Sequence, residues 1–468
     1  MKMRLPQEFV ERMRNLMDEQ EYNSFMQAIK AKIQIHSLRV NTLKIGVEEF
    51  LRIFPYPLEQ VPWCKQGFYL PKGFKASKHP YYYAGLYYLQ DPSAMLPGAV
   101  LAPRPGEKVL DLCAAPGGKS TQIAAAMEGR GVLVLNDINP KRIKALIKNV
   151  ENFGVRNAVI TNNNPEDLAT LYPEYFDRVL VDAPCSGEGM FRREARLTTA
   201  WRRNFHPSCC VPLQRSLLEA AARMVAPGGR LVYSTCTFSP EENEGQVRSF
   251  LERHSDFQLL ALSGVDGVSP GRGEWIGDPR FAQTGRIWPH LSRGEGQFAA
   301  VMARLGETGR KGGSESFPRR GFPNPAPDQR ELAPFLAFCS EVGIDPPSGR
   351  LYRLGEELYL LPGDLSDLSG LKVIRCGLLL GVLKPGRFQP AQAFALALGR
   401  QEAERRLELP SNSPELFRYL RGETLLLGEE TLPEKGWILV TTDGFPLGWA
   451  KRLGGLIKNH YPPAWRMA

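Results

Sequence analysis

Between residues 91 and 304, apolar runs of strand length alternate with helix-length amphipathic stretches, the pattern of a doubly wound, parallel α/β sheet. The strand candidates are Lys108-Val-Leu-Asp111, Val132-Leu-Val-Leu135, Ala158-Val-Ile160, Arg178-Val-Leu-Val181, Arg230-Leu-Val-Tyr233 and Gln297-Phe-Ala-Ala-Val301. Helices are expected over Lys141 to Asn152, Pro212 to Met224 and Glu241 to His254. In such a sheet, ligands and chemistry collect at the carboxyl ends of the strands. Asp111, Asp137, Asp182 and Cys236 stand at or just past successive strand ends, so four polar groups share one edge.

The rest of the chain divides around this block. At 468 residues it is too long for one core. Residues 1–90 read as a small α+β module: a helical start from Glu8 to Lys32 with apolar Phe9, Met13, Leu16 and Met17, then strand-like pieces at Leu38-Arg-Val40 and Gly67-Phe-Tyr-Leu70. Tyr81-Tyr-Tyr83 and Leu86-Tyr-Tyr-Leu89 are candidates either for stacking on bases or for packing at a domain junction. Residues 305–330, rich in Gly, Arg and Pro, read as a linker, and 331–468, with short apolar runs broken by Gly and Pro, as a β-rich region.

Lys and Arg outnumber Asp and Glu by 59 to 50, a weak pointer to a polyanionic partner. The pointer sharpens locally, since no acidic residue occurs from Gly444 to the end, where Lys451, Arg452, Lys458 and Arg466 interleave with Trp449, Tyr461 and Trp465. Eight cysteines without a C-x-x-C pair suggest free thiols rather than disulfides or a metal site. No run approaches the roughly 20 apolar residues of a membrane span, and Met1 to Pro6 lacks a signal-peptide core, so a cytoplasmic protein is expected.

Asp111-Leu-Cys-Ala-Ala-Pro-Gly-Gly-Lys-Ser-Thr121 follows the first strand and opens a helix, a turn that lets backbone approach a ligand. A P-loop needs glycine six positions before Lys119, where Cys113 stands, and the dinucleotide pattern G-x-G-x-x-G is missing. A cofactor carrying a carboxylate and an amino group remains. Asp137, at the end of the second strand, is placed to accept from ribose hydroxyls, and together the two features point to S-adenosylmethionine.

Asp182-Ala-Pro-Cys-Ser-Gly187 sets a carboxylate and a thiol past one strand, and Tyr233-Ser-Thr-Cys-Thr237 sets a second thiol past another. Two thiols and a carboxylate suit methylation of cytosine carbon 5. A thiolate adding at carbon 6 turns carbon 5 into a nucleophile. Cysteine, with a free pKa of about 8.5, gains only about tenfold from full ionisation, so ring activation must supply more. A carboxyl group at Asp182 meeting ring nitrogen 3 is one source, and a second thiol can help remove the carbon 5 proton and release the product. Either thiol taken alone reads more readily as a small buried hydrophobe, and it is the pair that carries the signal.

Asp111 to Ser120, Asp182 to Gly187 and Ser234-Thr-Cys-Thr-Phe-Ser-Pro-Glu-Glu-Asn243 together resemble the Sun-type RNA cytosine-5 methyltransferases. Gly85-Leu-Tyr-Tyr-Leu-Gln-Asp-Pro-Ser93 and the closing Lys458-Asn-His-Tyr461 make the chain most similar to bacterial members that act on 16S ribosomal RNA. The resemblance implies a Rossmann-like class I fold, with residues 331–468 PUA-like and both flanking regions RNA-binding. It implies Cys236 as nucleophile, Cys185 as the thiol that aids release, and Lys119 and Asp182 at the target base. Cys113, Ala114, Ala115, Pro116, Gly117, Gly118, Lys119, Asp137 and Asp182 would border the cofactor. Asn164 stands where the family has a carboxylate on the adenine amino group; its amide oxygen still accepts a hydrogen bond. The partner implied is 16S rRNA or the small ribosomal subunit, met by a monomer. Three alternatives stay open: an inactive assembly factor, action on another RNA such as tRNA, and a DNA cytosine methyltransferase with Cys185 as nucleophile.

Overall fold

The computed structural model describes residues 5–31, 35–194, 197–203, 205–307, 326–426 apart from 364, 366, 367 and 369, and 435–467. Most of the expected linker, residues 308–325, lies outside the described residues.

The helical start is two helices, α1 (Gln7–Leu16) and α2 (Glu19–Lys30), rather than the single run expected from Glu8 to Lys32. Asp18 ends the continuity: its backbone is extended and its side chain accepts from Glu21 N, which makes it the N-cap of α2. Phe9, Met13, Tyr22, Phe25, Met26 and Ile29 cluster with Phe191, Trp201, Phe238 and Trp288, so the helix pair seats on loops of the central sheet. The chain then forms an antiparallel sheet of β1 (Ser37–Val40), β2 (Glu59–Val61), β3 (Cys64–Tyr69) and β4 (Tyr87–Leu89), in the order β2-β3-β1-β4.

Five strands of the central sheet are parallel: β5 (Lys108–Asp111), β6 (Val132–Asn136), β7 (Ala158–Thr161), β8 (Phe176–Asp182) and β9 (Val225–Thr235), in the order β9-β8-β5-β6-β7. Their central stretches, Val109-Leu110, Leu133-Val-Leu135, Val159-Ile160, Val179-Leu-Val181 and Leu231-Val232, are all Val, Leu and Ile, as expected for strands covered on both faces. One apolar cluster includes Leu110, Val134, Val181 and Leu218, and the other Val109, Leu133, Leu180 and Ile123.

Three short strands follow, β10 (Phe257–Leu260), β11 (Ser269–Pro270) and β12 (Gly285–Ile287), before β13 (Gln297–Arg304). The last strand expected in the parallel sheet, Gln297 to Val301, is therefore corrected: β13 runs antiparallel to β9, with Ala300 opposite Tyr233. A return from β12, itself antiparallel to β13, needs no crossover helix.

Two further sheets follow residue 326: β14 (Leu351–Leu354), β15 (Glu357–Leu360), β17 (Leu378–Lys384) and β18 (Arg387–Pro390), then β19 (Arg406–Glu408), β20 (Leu425–Leu426), β21 (Gly436–Thr442), β22 (Phe445–Leu453) and β23 (Leu456–Asn459). Between β15 and β17, β16 (Val373–Arg375) leaves this region to pair with β7 and extends the central sheet. Of the two readings of the tyrosine-rich stretch, packing holds for Tyr81 and Tyr87: both are buried in a cluster with Tyr419, Phe445 and Tyr461, and Tyr81 Oη donates to Asp443 Oδ2 at 2.8 Å. Trp449 and Tyr461 are buried as well, so stacking on bases by these two closing aromatics is corrected to core packing. Among the described residues no helix is long and apolar enough to cross a membrane.

The most buried ion pair joins Glu244, in the first turn of helix Glu244–Arg253, to Arg286 of β12 through bonds of 2.7 and 2.6 Å. Arg286 also donates to Phe238 O. Arg286→Met leaves an unpaired buried carboxylate and is expected to cost about 3–5 kcal/mol. Arg286→Met with Glu244→Leu should recover most of that loss in urea unfolding followed by tryptophan fluorescence.

Candidate active site

Strand order reverses between β5 and β8, so a crevice opens where their carboxyl ends diverge. After β5 the chain turns through Gly117, whose φ of +110° disfavours any side chain, into helix Gly118–Ala126. Ser120 Oγ, in the first turn of that helix, donates to Asp111 Oδ2 at 2.7 Å and reaches Ala114 O at 3.2 Å. Burial pushes the Asp111 carboxyl up to about 7. Its other oxygen, Oδ1, is buried with no hydrogen-bond partner, although Asp111 lines a cavity of about 480 Å³. An unsatisfied buried acceptor on a cavity wall calls for a donor from a ligand.

Across the cavity, Lys119 Nζ meets Asp182 Oδ2 at 2.6 Å, and Ser234 Oγ donates to Asp182 Oδ1 at 2.7 Å. Burial works against the Lys119 ammonium. Asp182 in contact with it, with Cys236 and Asp111 nearby, outweighs burial and holds its pKa above the ordinary lysine value. Cys236 lines the same cavity, and its Sγ lies 3.4 Å from Cys185 Sγ. The Cys185 thiol is pushed far up, first by its hydrogen bond to Cys236, then by burial and by the charges of Cys236 and Glu242. Cys185 therefore keeps its proton. Cys113 is likewise pushed far up, by burial and then by Asp111, Asp182 and Asp137.

The two cysteine loops are tied together by carboxylates that sequence reasoning left without a role. Glu242 accepts from Ser186 N (2.9 Å), Ser186 Oγ (2.5 Å) and Gln214 Nε2 (2.8 Å). Ser186 Oγ in turn shares a 2.6 Å bond with Thr237 Oγ1, and Asn243 bonds Thr235 Oγ1 and Thr237 O. Glu188, fully buried, accepts from Arg12 Nη2 of α1 (2.5 Å), Trp201 Nε1 (3.1 Å) and Phe238 N (3.2 Å). The signal in the sequence was Glu241-Glu242-Asn243-Glu244, an acidic run that starts five residues past Cys236; nothing local says that Glu242 and Glu244 point inward.

Of the residues nominated from sequence, Cys113, Ala114, Ala115, Pro116, Gly118, Lys119, Asp182 and Cys236 line the cavity. Gly117, Asp137, Asn164 and Cys185 do not. Asp137 is 2% exposed and already engaged: it accepts from Ala115 N (3.2 Å) and Asn139 N (2.8 Å) and pairs with Arg142 at 3.3 Å. Asn164 is exposed and caps helix Pro165–Leu171, its Oδ1 accepting from Glu166 N at 3.2 Å. Asp91, Arg193 and Gln297 also line the cavity and were not nominated.

Comparison with known proteins adds four matched family models. They are described as 16S rRNA methyltransferase RsmB/F (residues 98–303), the N-terminal domain of 16S rRNA methyltransferase RsmF (5–92), the RsmF rRNA methyltransferase first C-terminal domain (337–398) and the methyltransferase RsmF PUA domain (406–467). A relative from Erwinia tasmaniensis, ribosomal RNA small subunit methyltransferase F, is 32% identical over 480 residues, covering 98% of this chain and 96% of its own. The crystal structure of a methyltransferase homolog protein from Pyrococcus horikoshii matches 64% of this chain and 95% of that one at 31% identity and a TM-score of 0.57. NSun6 from Pyrococcus horikoshii, solved with SFG, shares the fold at 24% identity and a TM-score of 0.55, over 64% of this chain and 99% of that one.

Burial, then the charge of Glu188, pushes Glu242 up to about 7 against the pull of Ser186 and Gln214. The folded state thus holds this proton more tightly than the unfolded chain does, and its contribution to stability is lost as pH rises through about 7. Thermal midpoints of the wild type should fall between about pH 5 and pH 8 more than those of Glu242→Gln. Parallel curves would mean that Glu242 is ionised throughout.

Proposed function

The chain belongs to the ribosomal RNA small subunit methyltransferase F family, and from that premise we propose that it methylates carbon 5 of a cytidine in 16S ribosomal RNA. The observation that carries this reading is the pair of thiols 3.4 Å apart, one just past β8 and one just past β9, the latter facing a cavity that also holds the Lys119–Asp182 pair. Ordinary methyl transfer to an amine or hydroxyl needs neither thiol.

The cofactor implied is S-adenosylmethionine, which supplies a sulfonium-bound methyl group when present. The residues fit it. Asp111 Oδ1, buried and unpartnered, is an acceptor for the methionine ammonium, and the turn from Cys113 to Lys119 gives backbone amides to its carboxylate. Asp137 would receive the ribose hydroxyls in the place Arg142 holds on its Oδ2. Asn164 would turn its amide toward the adenine amino group, with its oxygen shared with the Glu166 amide.

In the proposed reaction the Cys236 thiolate forms a bond from Sγ to carbon 6 of the cytosine. The electron pair of the carbon 5–carbon 6 double bond moves into the ring, and charge builds at nitrogen 3. Asp182, held by Lys119 and Ser234, meets that edge, and a proton passed from the Lys119 ammonium through the Asp182 carboxyl to nitrogen 3 neutralises the charge; such stabilisation in a dry site is worth several kcal/mol. Carbon 5 would then take the methyl group, whose departure would leave the cofactor sulfur with the electron pair of the broken bond, as a neutral thioether. Loss of the carbon 5 proton returns the pair to the ring and expels Cys236. Cys185 is the residue placed to take part in that proton transfer. Once Cys236 is a thioether, the neighbouring sulfur that holds the Cys185 proton in place has lost its charge, so Cys185 gives up its proton more readily, and becomes available as a thiolate base, only after attack has occurred. Residues 5–92 and 406–467 would bring the RNA to the cavity.

Each variant, Cys185→Ala and Cys236→Ala, is incubated with S-adenosylmethionine and ribosomal RNA or assembled small subunits. Cys185→Ala should accumulate a protein–RNA adduct stable to denaturant, and Cys236→Ala should form none. The opposite result reverses the roles, and neither adduct nor methylation with the wild type favours an assembly factor. Binding of the cofactor is expected to depend on Asp111. Its carboxyl titrates at about 7 in the free protein, and a cationic ammonium favours the carboxylate. Affinity in calorimetry should therefore rise through about pH 7 and fall again near pH 8 as the α-amino group, with pKa about 7.7–8.0, loses its proton. Asp111→Asn should bind weakly and without the acid limb.

A further inference from the structure

We propose that a groove beside the catalytic cavity, walled by residues 73–78, Gln90, Asp91 and Arg193, holds the single-stranded RNA that flanks the target nucleotide. The inference rests on the reading of the chain as an RNA methyltransferase and assigns a surface that reading leaves open.

Three observations carry it. The groove, of about 660 Å³, is continuous with the catalytic cavity: both are lined by Leu89, Gln90, Asp91 and Arg193. A strand whose target base enters the cavity must leave past these residues.

The second observation is charge. Residues 60–90 contain Lys65, Lys72, Lys75 and Lys78 and no Asp or Glu, and Lys75 and Lys78 stand exposed on the wall of the groove that Arg193 also lines. The last carboxylate before that run, Glu59, is paired to Arg293. Of the acidic residues on the wall, Glu295 is 3% exposed and is bound by Arg192 at 2.7 Å, and Asp91 is half-buried and accepts from Ser93 N at 3.0 Å, which leaves Glu194 as the exposed carboxylate. An exposed cationic track of this kind matches a phosphate backbone.

The third is the chemistry. A base whose carbon 6 is attacked by Cys236 has to be out of its stack, so the strand on either side is locally unpaired. That selects a single strand over a duplex. The basic run that stood out in the sequence, from Gly444 to the C-terminus, has Trp449 and Tyr461 buried, whereas Lys75 and Lys78 line the groove that adjoins the cavity.

Lys75→Ala, Lys78→Ala and the double variant of the full-length chain are tested by fluorescence anisotropy with a single-stranded RNA of about 12 nucleotides, over about 0.05–0.3 M KCl. Each single variant should bind roughly 3- to 10-fold more weakly and lower the slope of log K against log salt by about 0.7, the double by about twice that. Cofactor affinity should not change, which reports an intact fold. Unchanged affinity and slope in the double variant overturn the groove. So does a hairpin duplex that binds as tightly and with the same lysine dependence, or an acidic peptide that displaces the RNA at equal concentration. A wild type that binds RNA through these lysines yet transfers no methyl group supports the groove while removing the methyltransferase reading.

Discussion

Three fully buried carboxylates, Glu188, Glu242 and Glu244, hold the geometry on which the rest of the site depends. A carboxylate out of water is costly unless donors surround it. Each of these takes donors from segments far apart in the chain: Glu188 from Arg12, Trp201 and the Phe238 amide, Glu242 from Ser186 and Gln214, Glu244 from Arg286 and the Arg272 amide. Moving the loop that carries Cys185 or the loop that carries Cys236 would strand at least one acceptor. The 3.4 Å between the two sulfurs is thus set by charge satisfaction around them rather than by either cysteine.

That closeness divides the work of the thiols. With Cys236 beside it, Cys185 keeps its proton, since its hydrogen bond to Cys236 and burial both oppose its ionisation. Only Cys236 opens onto the cavity with Lys119 and Asp182. In the proposed reaction the order in which the two act would follow from their contact: one is available for attack, and the other would change state when the first had reacted.

The central sheet was legible because buried parallel strands are written as continuous apolar runs. Leu110, Val134 and Val181 needed only their neighbours to be recognised as strand interior. The polar residues at the strand ends were legible for the same reason, since each run stops at them. Direction was not: Gln297–Arg304 is as apolar as its parallel neighbours, and only pairing with β9 and β12 makes it antiparallel. The break between α1 and α2 rests on one capping side chain, Asp18, inside a stretch with helical periodicity on both sides. Within the site, the turn from Asp111 to Thr121 carried its signal locally through Gly117 and Gly118. Asp137 carried half of it. Its place at the end of β6 was right, but the Ala115 amide and Arg142 that occupy its carboxylate belong to other turns.

Arg39 shows why the N-terminal sheet and the catalytic cavity behave as one body. It lies on β1, is 1% exposed, and directs its guanidinium to Gly118 O and Thr121 Oγ1, both at 2.7 Å, and to Gln90 Oε1. Burial brings its pKa down to about 10, with Cys64 and Tyr88 opposing that shift, so the charge is retained at neutral pH. No carboxylate is among these acceptors; the rings of Tyr88 and Phe153, each 5.6 Å away, supply the rest of its surroundings. A cation so placed is satisfied only while β1, the Gln90 side chain and the first turn of helix Gly118–Ala126 stay in register. Gln90 borders both the cavity and the basic groove. A displacement of the N-terminal sheet is therefore felt at Gly118 and Lys119, and the surface that would carry the RNA is joined through one buried guanidinium to the turn that would carry the cofactor.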